Sequence, residues 1–447
     1  MSMYLIIASR NLLQSRRRTF LLGLALSMVT LLLVLLLALS QGISDTMVTS
    51  ATALSAGHIN VAGFHKTTPT DTAPIVNEAA KLKAVVKEVT PEAVSIIDRH
   101  RGWARIISDQ TSINSGLSGI DLDQEQRLID SLHLAEEIEY KEGGRRQVIG
   151  DLEKLRDKNQ ALIFVAQAKR LGVEVGDALT ITIETLRGYT NTVEFTVAAV
   201  ARDMGMLSSW SLFVSRETIL GLYDLTPDST GAVMVYLDDI GQSKQVMTEL
   251  VGRLEDKGYV VMDHDSNPFW MKFDTVIGED WVGQKLDLTT WKDEVNFLTW
   301  VLTAVDVVSM GLLGILVGLI AIGIMNAMWI AVKERTREVG TVRAIGMSRR
   351  RVLVLFMTEA LLLGLAATTV GATLGAAIAL GIDAATIKVP VEAMHTILMS
   401  DTIHMAVKPA QIVFAIVGFT ALTGISALWP ALRASRLEPV TAIHHVQ

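Results

Sequence analysis

Four long apolar runs constrain this chain more than any other feature of its 447 residues. The first, residues 19–41, is uncharged and rich in leucine, and the others cover residues 298–331, 352–381 and 410–430. Each run is long enough, as a helix, to cross the roughly 30 Å hydrocarbon core of a bilayer. The sequence therefore predicts an α-helical membrane protein with four transmembrane helices.

Between the first and second runs, residues 42–297 contain no apolar stretch that could span a membrane. Alternating segments typical of β-strands, such as Ala178–Ile183, are mixed there with amphipathic helical patterns such as Ile75–Val89. By the usual size of domains, about 250 residues predict two lobes. We therefore expect a large α+β domain, inserted between the first and second membrane helices.

Basic residues indicate how the chain is oriented. Residues 1–18 read as a basic amphipathic helix, residues 332–351 carry seven basic residues against two acids, and residues 431–447 follow the last span. Lys and Arg accumulate in short cytoplasmic segments. We therefore expect these three segments and both termini in the cytoplasm, with residues 42–297 and the loop 382–409 on the outer side.

The second apolar run is too long for a simple span. As one helix, Leu298–Trp329 would measure about 48 Å, so we expect it to extend beyond the bilayer on the outer side. Glycines at helical spacing predict close packing of the second and third membrane helices. They are Gly311, Gly314 and Gly318 in the second, and Gly364, Gly371 and Gly375 in the third.

Glu359 lies about two turns into the third apolar run, counted from residues 332–351. Three interpretations are open from the sequence: its side chain reaches the inner surface, it pairs with an arginine of the charged segment, or it belongs to a proton relay.

Several classes of function are disfavoured. No phosphate-binding G-x-x-x-x-G-K-[ST] loop, no H-E-x-x-H motif and no cysteine occurs in the sequence, so we expect no enzyme, metal or cofactor on this chain. Residues 42–297 hold 39 acidic and 25 basic residues, whereas the rest of the chain holds 8 acidic and 15 basic ones. An acidic domain repels polyanions, so we expect no nucleic acid partner.

The segment Val332–Gly346 resembles the signature that follows the second span in the ABC permeases that include MacB, FtsX and the lipoprotein-releasing LolC and LolE proteins. Similar matches occur at Phe356–Ala360 and Pro430–Val440, and the plan of one span, a large outer domain and three more spans is also similar. The resemblance implies a permease of the bacterial inner membrane with a periplasmic domain.

The resemblance also implies how such a permease is driven. A cytoplasmic ABC ATPase dimer, which holds ATP and Mg, would bind the charged segment, and mechanotransmission would carry its movement to the periplasmic domain. A second permease, of the same or a related chain, is implied as well. The residues implied in ATPase coupling are Glu334, Arg335, Thr336, Arg337, Glu338, Gly340, Arg343, Ala344 and Gly346. The alternative is that these charges only determine topology.

The cargo is a finer question. Gly57–Ile59, Ser118–Glu125 and Ala168–Asp177 are similar to segments of the lipoprotein-releasing branch, which implies release of lipoproteins to a periplasmic carrier. One alternative is a MacB-like permease of a tripartite pump, which would export peptides or small amphiphiles with an adaptor. The other is an FtsX-like transducer that transports nothing and activates a cell-wall hydrolase.

Overall fold

A computed structural model describes residues 2–186, 188–296, 299–387, 389 and 402–436. The chain divides into two compact units. Residues 46–301 form one of them, which we call the α+β domain. The other, the helical unit, consists of residues 2–45, 302–387 and 402–436 in the part that the structure describes.

The helices of the described residues vary from one turn to 39 residues. In chain order they are α1 (Ser2–Gln14), α2 (Arg16–Leu54), α3 (Ala79–Val89), α4 (Gln126–Ser131), α5 (Glu137–Tyr140), α6 (Val165–Leu171), α7 (Arg216–Tyr223), α8 (Ser243–Asp256), α9 (Phe273–Ile277), α10 (Trp291–Glu294), α11 (Thr299–Glu334), α12 (Thr336–Ala344), α13 (Arg349–Ala384) and α14 (Pro409–Ser435).

The strands all belong to the α+β domain. They are β1 (Ile59–Lys66), β2 (Val76–Asn77), β3 (Ala93–Ile107), β4 (Ser112–Ile120), β5 (Gln160–Phe164), β6 (Ala178–Glu184), β7 (Thr190–Ala201), β8 (Ser211–Ser215), β9 (Ser229–Thr230), β10 (Ala232–Leu237) and β11 (Gly283–Thr290).

Four helices of the described chain, α2, α11, α13 and α14, are long and apolar enough to cross a membrane. The α+β domain lies between the first and second of them. The predicted fold class, four membrane helices with a large α+β domain inserted after the first, is therefore confirmed.

The first helices differ from the prediction at both ends. Residues 1–18 are not one helix: α1 ends at Gln14, and the three arginines that follow Ser15 open α2. The hydroxyl of Ser15 donates to the carbonyl of Asn11 (3.1 Å), and the hydroxyl of Thr19 donates to that of Leu12 (2.9 Å). Side-chain donors thus add hydrogen bonds to carbonyls at the end of α1, where a helix has few backbone partners to offer.

The predicted first span, residues 19–41, is too short as a helix, because α2 continues unbroken to Leu54. Met47, Ala51 and Leu54 recur at helical spacing and are each less than 4% exposed. The last turns of α2 are therefore helical because they bury an apolar face within the α+β domain.

The last helix continues beyond the predicted span. The predicted span covers residues 410–430, but α14 continues through Pro430 to Ser435. Proline removes one backbone hydrogen bond from a helix, and the burial of Ala431 and Ala434 stabilises the turn beyond it. Residues 437–447 of the predicted tail and residues 390–401 of the predicted loop 382–409 lie outside the described part of the chain.

The α+β domain is organised around the 15-residue strand β3. Nine strands pair in the order β11-β1-β10-β3-β4-β8-β5-β7-β6, and β6 pairs with β3 as well. The strands from β3 to β6 therefore close into a six-stranded ring. We call the ring with its helices the barrel lobe, and β11, β1, β10 and the first half of β3 the sheet lobe.

Each lobe has its own hydrophobic core. In the barrel lobe, Ile106 of β3 and Phe195 of β7 belong to a cluster inside the ring. In the sheet lobe, the cluster combines β1 and β10 with Leu82 of α3 and Leu250 of α8. Because β3 contributes to both lobes, it is the element that connects the two cores.

Candidate coupling site

The charged segment 332–351 is mainly a short helix. After α11 ends at Glu334, Arg335 leaves the helical conformation with φ −104° and ψ 15°, and α12 begins at Thr336. Glu338 lies in the first turn of α12 and Arg343 in its last turn, where each charge is favoured by the helix dipole. The chain then turns at Gly346, whose φ of +108° is a conformation that glycine adopts readily.

One side of α12 packs on other helices of the helical unit. Val339 and Gly340 are buried, and Val339 belongs to an apolar cluster with Met328 of α11 and Phe356 of α13. Thr336 donates its hydroxyl hydrogen to the carbonyl of Val332 at 2.9 Å. Gly340 therefore faces the helical unit, where a residue without a side chain allows close approach.

Arg335 points into the helical unit as well. Its Nη1 lies 2.9 Å from Oε2 of Glu359 in α13, and its Nη2 donates to the carbonyl of Asn11 in α1. The Glu359 side chain is only 6% exposed, so it needs a partner for its charge. Of the three interpretations of Glu359, this contact favours the pairing with an arginine, whereas the role of Arg335 in ATPase coupling stays a prediction.

The opposite side of α12 is exposed. Glu338, Thr341, Val342 and Ile345 follow one another at spacings of three, one and three residues, which places them on one side of a helix, and Ile345 is 82% exposed. We call these four residues the α12 outer face. Glu334, Arg337 and Ala344 are exposed beside it, and Arg343 is half-buried.

Val342 and Ile345 are candidate functional residues that the sequence did not single out. The available signal was their position: two apolar residues within a charged segment, three and six positions after Val339. The sequence could not show which of the three valine and isoleucine side chains faces the protein, because that depends on packing against α11 and α13.

A second group of side chains fixes the neighbouring ends of α11 and α14. Trp329 and Trp429 meet edge to face with ring centroids 5.4 Å apart. The guanidinium of Arg433 lies over both rings, 5.2 Å from Trp329 and 5.9 Å from Trp429. Such cation–π contacts with aromatic pairs stabilise a local geometry by about 1 kcal/mol each.

The predicted packing glycines fall into two groups. A Cβ on Gly364 would meet Thr423 of α14 at 3.0 Å, and one on Gly371 would overlap the carbonyl of Ser27 in α2. Gly375 similarly lies against Leu31 of α2. Around Gly311, Gly314 and Gly318 of α11, the described residues place no atom within 4 Å of such a Cβ, so their packing role stays a prediction.

No group of three or more His, Asp or Glu side chains among the described residues could hold a metal ion. The arrangement at α12 offers charges, exposed apolar surface and a rigid backing. These are the features of a surface that can bind another protein.

Comparison with known proteins finds one family model and several relatives that match part of this chain. The family model described as FtsX-like permease C-terminal matches residues 310–439. A macrolide export ATP-binding/permease protein MacB of Nitrobacter winogradskyi is 35% identical over 152 residues, 34% of this chain and 20% of that protein. MacB of Agrobacterium fabrum is 27% identical over 235 residues, 52% of this chain and 30% of that protein. An uncharacterized ABC transporter permease of Bacillus subtilis, YvrN, is 36% identical over 123 residues, 28% of this chain and 26% of that protein.

Two solved structures are similar at a lower level. The extracellular domain of the noncanonic ABC-type transporter YknZ from Gram-positive bacteria shares 12% identity and a TM-score of 0.28, over 44% of this chain and 94% of that one. The periplasmic region of MacB from Actinobacillus actinomycetemcomitans shares 11% identity and a TM-score of 0.29, over 55% of this chain and 94% of that one. At this level of similarity, the architecture of the α+β domain is described by its own strand order alone.

Residues 310–439 are thus similar to the C-terminal part of FtsX-like permeases, and parts of the chain are similar to MacB proteins. The chain spans only 20% and 30% of the length of the two MacB relatives, whose names include ATP binding as well as the permease. Neither the relatives nor the family model single out the lipoprotein-releasing branch.

Proposed function

We propose that this chain is the membrane subunit of an ABC transporter, driven by a separate ATPase that docks on the α12 outer face. The ATPase dimer holds ATP and Mg on the cytoplasmic side of a bacterial inner membrane, where both termini of this chain also lie. A second permease completes the membrane part. The open small-residue faces of α11 at Gly311, Gly314 and Gly318 support such a partner.

The single observation that carries this proposal is the two-sided character of α12. One side is held by Val339 in the apolar cluster and adjoins the Arg335–Glu359 ion pair. The other side presents Glu338, Val342 and Ile345 together. Segments that only determine topology need basic charge, but they need neither exposed apolar residues nor a fixed orientation.

A docked ATPase can move more than α12. Because Val339 packs against both α11 and α13, a displacement of α12 is passed to both helices. The α11 helix is continuous over 36 residues, about 54 Å. It begins within the α+β domain and ends beside α12, so it can carry a rigid-body displacement without opening a pore.

For the cargo, we propose a lipid-anchored amphiphile, with lipoproteins passed to a periplasmic carrier as the first candidate because of the three lipoprotein-branch segments in the α+β domain. The second candidate, export of small amphiphiles through an adaptor, is favoured by the similarity to macrolide export proteins. Mass spectrometry of the cargo bound to the purified complex decides between them.

The docking proposal is tested by reversing one charge on the α12 outer face. We expect Glu338→Lys to reduce the amount of ATPase that co-purifies with the chain at least about fivefold, because a charge opposed across an interface costs several kcal/mol. The matched control is Glu92→Lys, the same exposed charge change in the α+β domain. Equal co-purification with Glu338→Lys and with Glu92→Lys would reject the docking site.

A further inference from the structure

We propose that Arg99 and Arg101 of β3 form a joint, which we call the β3 joint, that holds the ends of α2 and α10 against both lobes of the α+β domain. Its role in passing on movement rests on the proposed function. Its role in holding the two helix ends does not.

The position of these arginines in β3 is the first observation. Arg99 is opposite Ala232 of β10 in the sheet lobe, and the next residue, His100, is opposite Gly119 of β4 in the barrel lobe. Arg99 and Arg101 are two residues apart, so their side chains leave the same face of the strand. The joint therefore lies at the point where one lobe gives way to the other.

Arg99 holds the C-terminal end of α2. Its Nη1 donates to the carbonyls of Ala53 (3.0 Å) and Leu54 (3.1 Å), the last two residues of the helix. Those carbonyls have no partners within the helix, and a cation is favoured at this end of its dipole. The hydroxyl of Tyr236 in β10 donates to the carbonyl of Thr52 at 3.0 Å, which adds a third contact at the same helix end.

Glu125 holds Arg99 in that orientation. Arg99 Nε and Nη2 donate to the two carboxylate oxygens of Glu125 at 2.8 and 2.6 Å, and both side chains are at most 2% exposed. Burial works against the charge of Arg99, but the neighbouring Glu125 carboxylate raises the pKa of the guanidinium above its ordinary value. A bidentate arginine–carboxylate pair has one favourable geometry. The guanidinium that binds the end of α2 is therefore held in one orientation, which resists rotation of that helix end.

Arg101 holds the other connection. Its Nη1 donates to Oε2 of Glu294 at 3.1 Å, and Oε1 of Glu294 accepts a hydrogen bond from Thr289 at 2.8 Å. Glu294 is the last residue of α10, five positions before α11 begins at Thr299. The ring of Phe269 lies under the Arg101 guanidinium at 3.9 Å. The end of α10 is therefore fixed to the same part of β3 as the end of α2.

The alternate residues of β3 hold the two lobes together from the other face. Asp98 lies 2.7 Å from Nζ of Lys83 in α3 of the sheet lobe and 3.7 Å from Nε of Arg216 in α7 of the barrel lobe. His100 donates from Nε2 to the carbonyl of Ser229. A movement of either helix end is thus applied to a strand that is tied to both lobes.

The test replaces each ion pair of the β3 joint by apolar residues of similar size, which leaves no charge buried without a partner. The variants are Arg99→Met/Glu125→Leu and Arg101→Met/Glu294→Leu. The matched control is Arg202→Met/Glu139→Leu, a two-pronged ion pair of 2.7 Å between α5 and the residue that follows β7 in the barrel lobe. All are made in the full chain, purified with the ABC ATPase that accompanies the wild type.

Hydrogen exchange followed by mass spectrometry is measured with and without ATP and vanadate. Without nucleotide, we expect the Arg99 variant to speed exchange in residues 50–57, and the Arg101 variant in residues 289–296, at least about tenfold. We expect the control to leave both peptides unchanged. With nucleotide, the response of barrel-lobe peptides should fall to less than about a third in either variant, although ATP hydrolysis continues.

Exchange at residues 50–57 and 289–296 that is the same in the variants, the control and the wild type would overturn the joint. Loss of the nucleotide response in the control as well would overturn the transmitting role of the joint, since loss of another ion pair in the domain would then have the same effect. A wild-type complex with no accompanying ATPase, or with no nucleotide response, would instead contradict the proposed function and with it that transmitting role. The exchange without nucleotide would still decide whether the arginines hold the helix ends.

Discussion

At the scale of single residues, His58 and His100 are buried in the α+β domain with one ring nitrogen each in a backbone hydrogen bond. Nδ1 of His58 accepts from the amide of Leu237 at 3.1 Å, and Nε2 of His100 donates to the carbonyl of Ser229 at 2.8 Å. Burial, assisted by a nearby arginine, lowers the pKa of each imidazole to about 4. Both rings are therefore neutral at pH 7.

This predicts that the α+β domain loses stability in mild acid. The unfolded chain takes up protons at the ordinary histidine pKa of about 6.5, so the stabilisation is complete above that pH and falls as the pH drops toward 4. Each histidine accounts for about 3 kcal/mol at the lower limit. Hydrogen exchange of β3 and β10 peptides in the full chain, corrected for intrinsic rates, measures the loss. His58→Gln/His100→Gln should flatten the pH dependence, and an unchanged slope would contradict the assignment.

At the scale of elements, the close contact of α13 with α2 depends on a glycine. Gly371 lies so near the carbonyl of Ser27 that a Cβ would overlap it, whereas a Cβ on Gly381, near the end of the same helix, would meet no described atom within 4 Å. The backbone of α2 cannot give way there without shifting its turn. The two glycines therefore differ in packing although both are helical.

We expect Gly371→Ala to destabilise the helical unit by about 1–3 kcal/mol, since overpacking forces backbone shifts. Gly381→Ala should instead be neutral or stabilising by up to about 1 kcal/mol, because alanine is the better helix former. Thermal unfolding of the two variants in the same detergent compares them. Equal stabilities would show that α2 and α13 are not packed this closely.

Elements with a clear periodicity were predictable from the sequence, and others were not. The alternation of Ala178–Ile183 predicts β6. The amphipathic pattern of Ile75–Val89 predicts α3 but places its start too early, because Val76 and Asn77 pair with β9 as strand β2. The strand β11 was missed because Gln284, Lys285 and Asp287 interrupt its apolar pattern, and its pairing with β1 overrides that local signal.

The candidate site, too, was only partly predictable from the sequence. The sequence located the charged segment, because charges between two apolar runs are conspicuous. It could not assign Arg335 inward or Ile345 outward, since both depend on how α12 packs against α11 and α13. The run Asp98–Arg101 was also overlooked, although three charged residues and a histidine inside a strand that holds Ile97 and Trp103 are unusual enough to indicate buried ion pairs.

At the scale of the whole molecule, α2 and α11 each run from the helical unit into the α+β domain without a break. Under the proposed function, energy enters at the α12 outer face and is carried along such continuous helices. The β3 joint would then distribute the displacement over both lobes. The central claim of this account is that an ABC ATPase is the protein that contacts α12.

Photo-crosslinking from Ile345 tests that claim most directly. The chain contains no cysteine, so Ile345→Cys provides a single thiol for a benzophenone maleimide. Irradiation of membranes, followed by mass spectrometry of the adduct, identifies the neighbour. Val94→Cys, at an apolar side chain that is also exposed, is the control in the α+β domain. We expect an ABC ATPase to be crosslinked to this chain from position 345 and not from position 94. No ATPase adduct from position 345, or the same adduct from both positions, would contradict the claim.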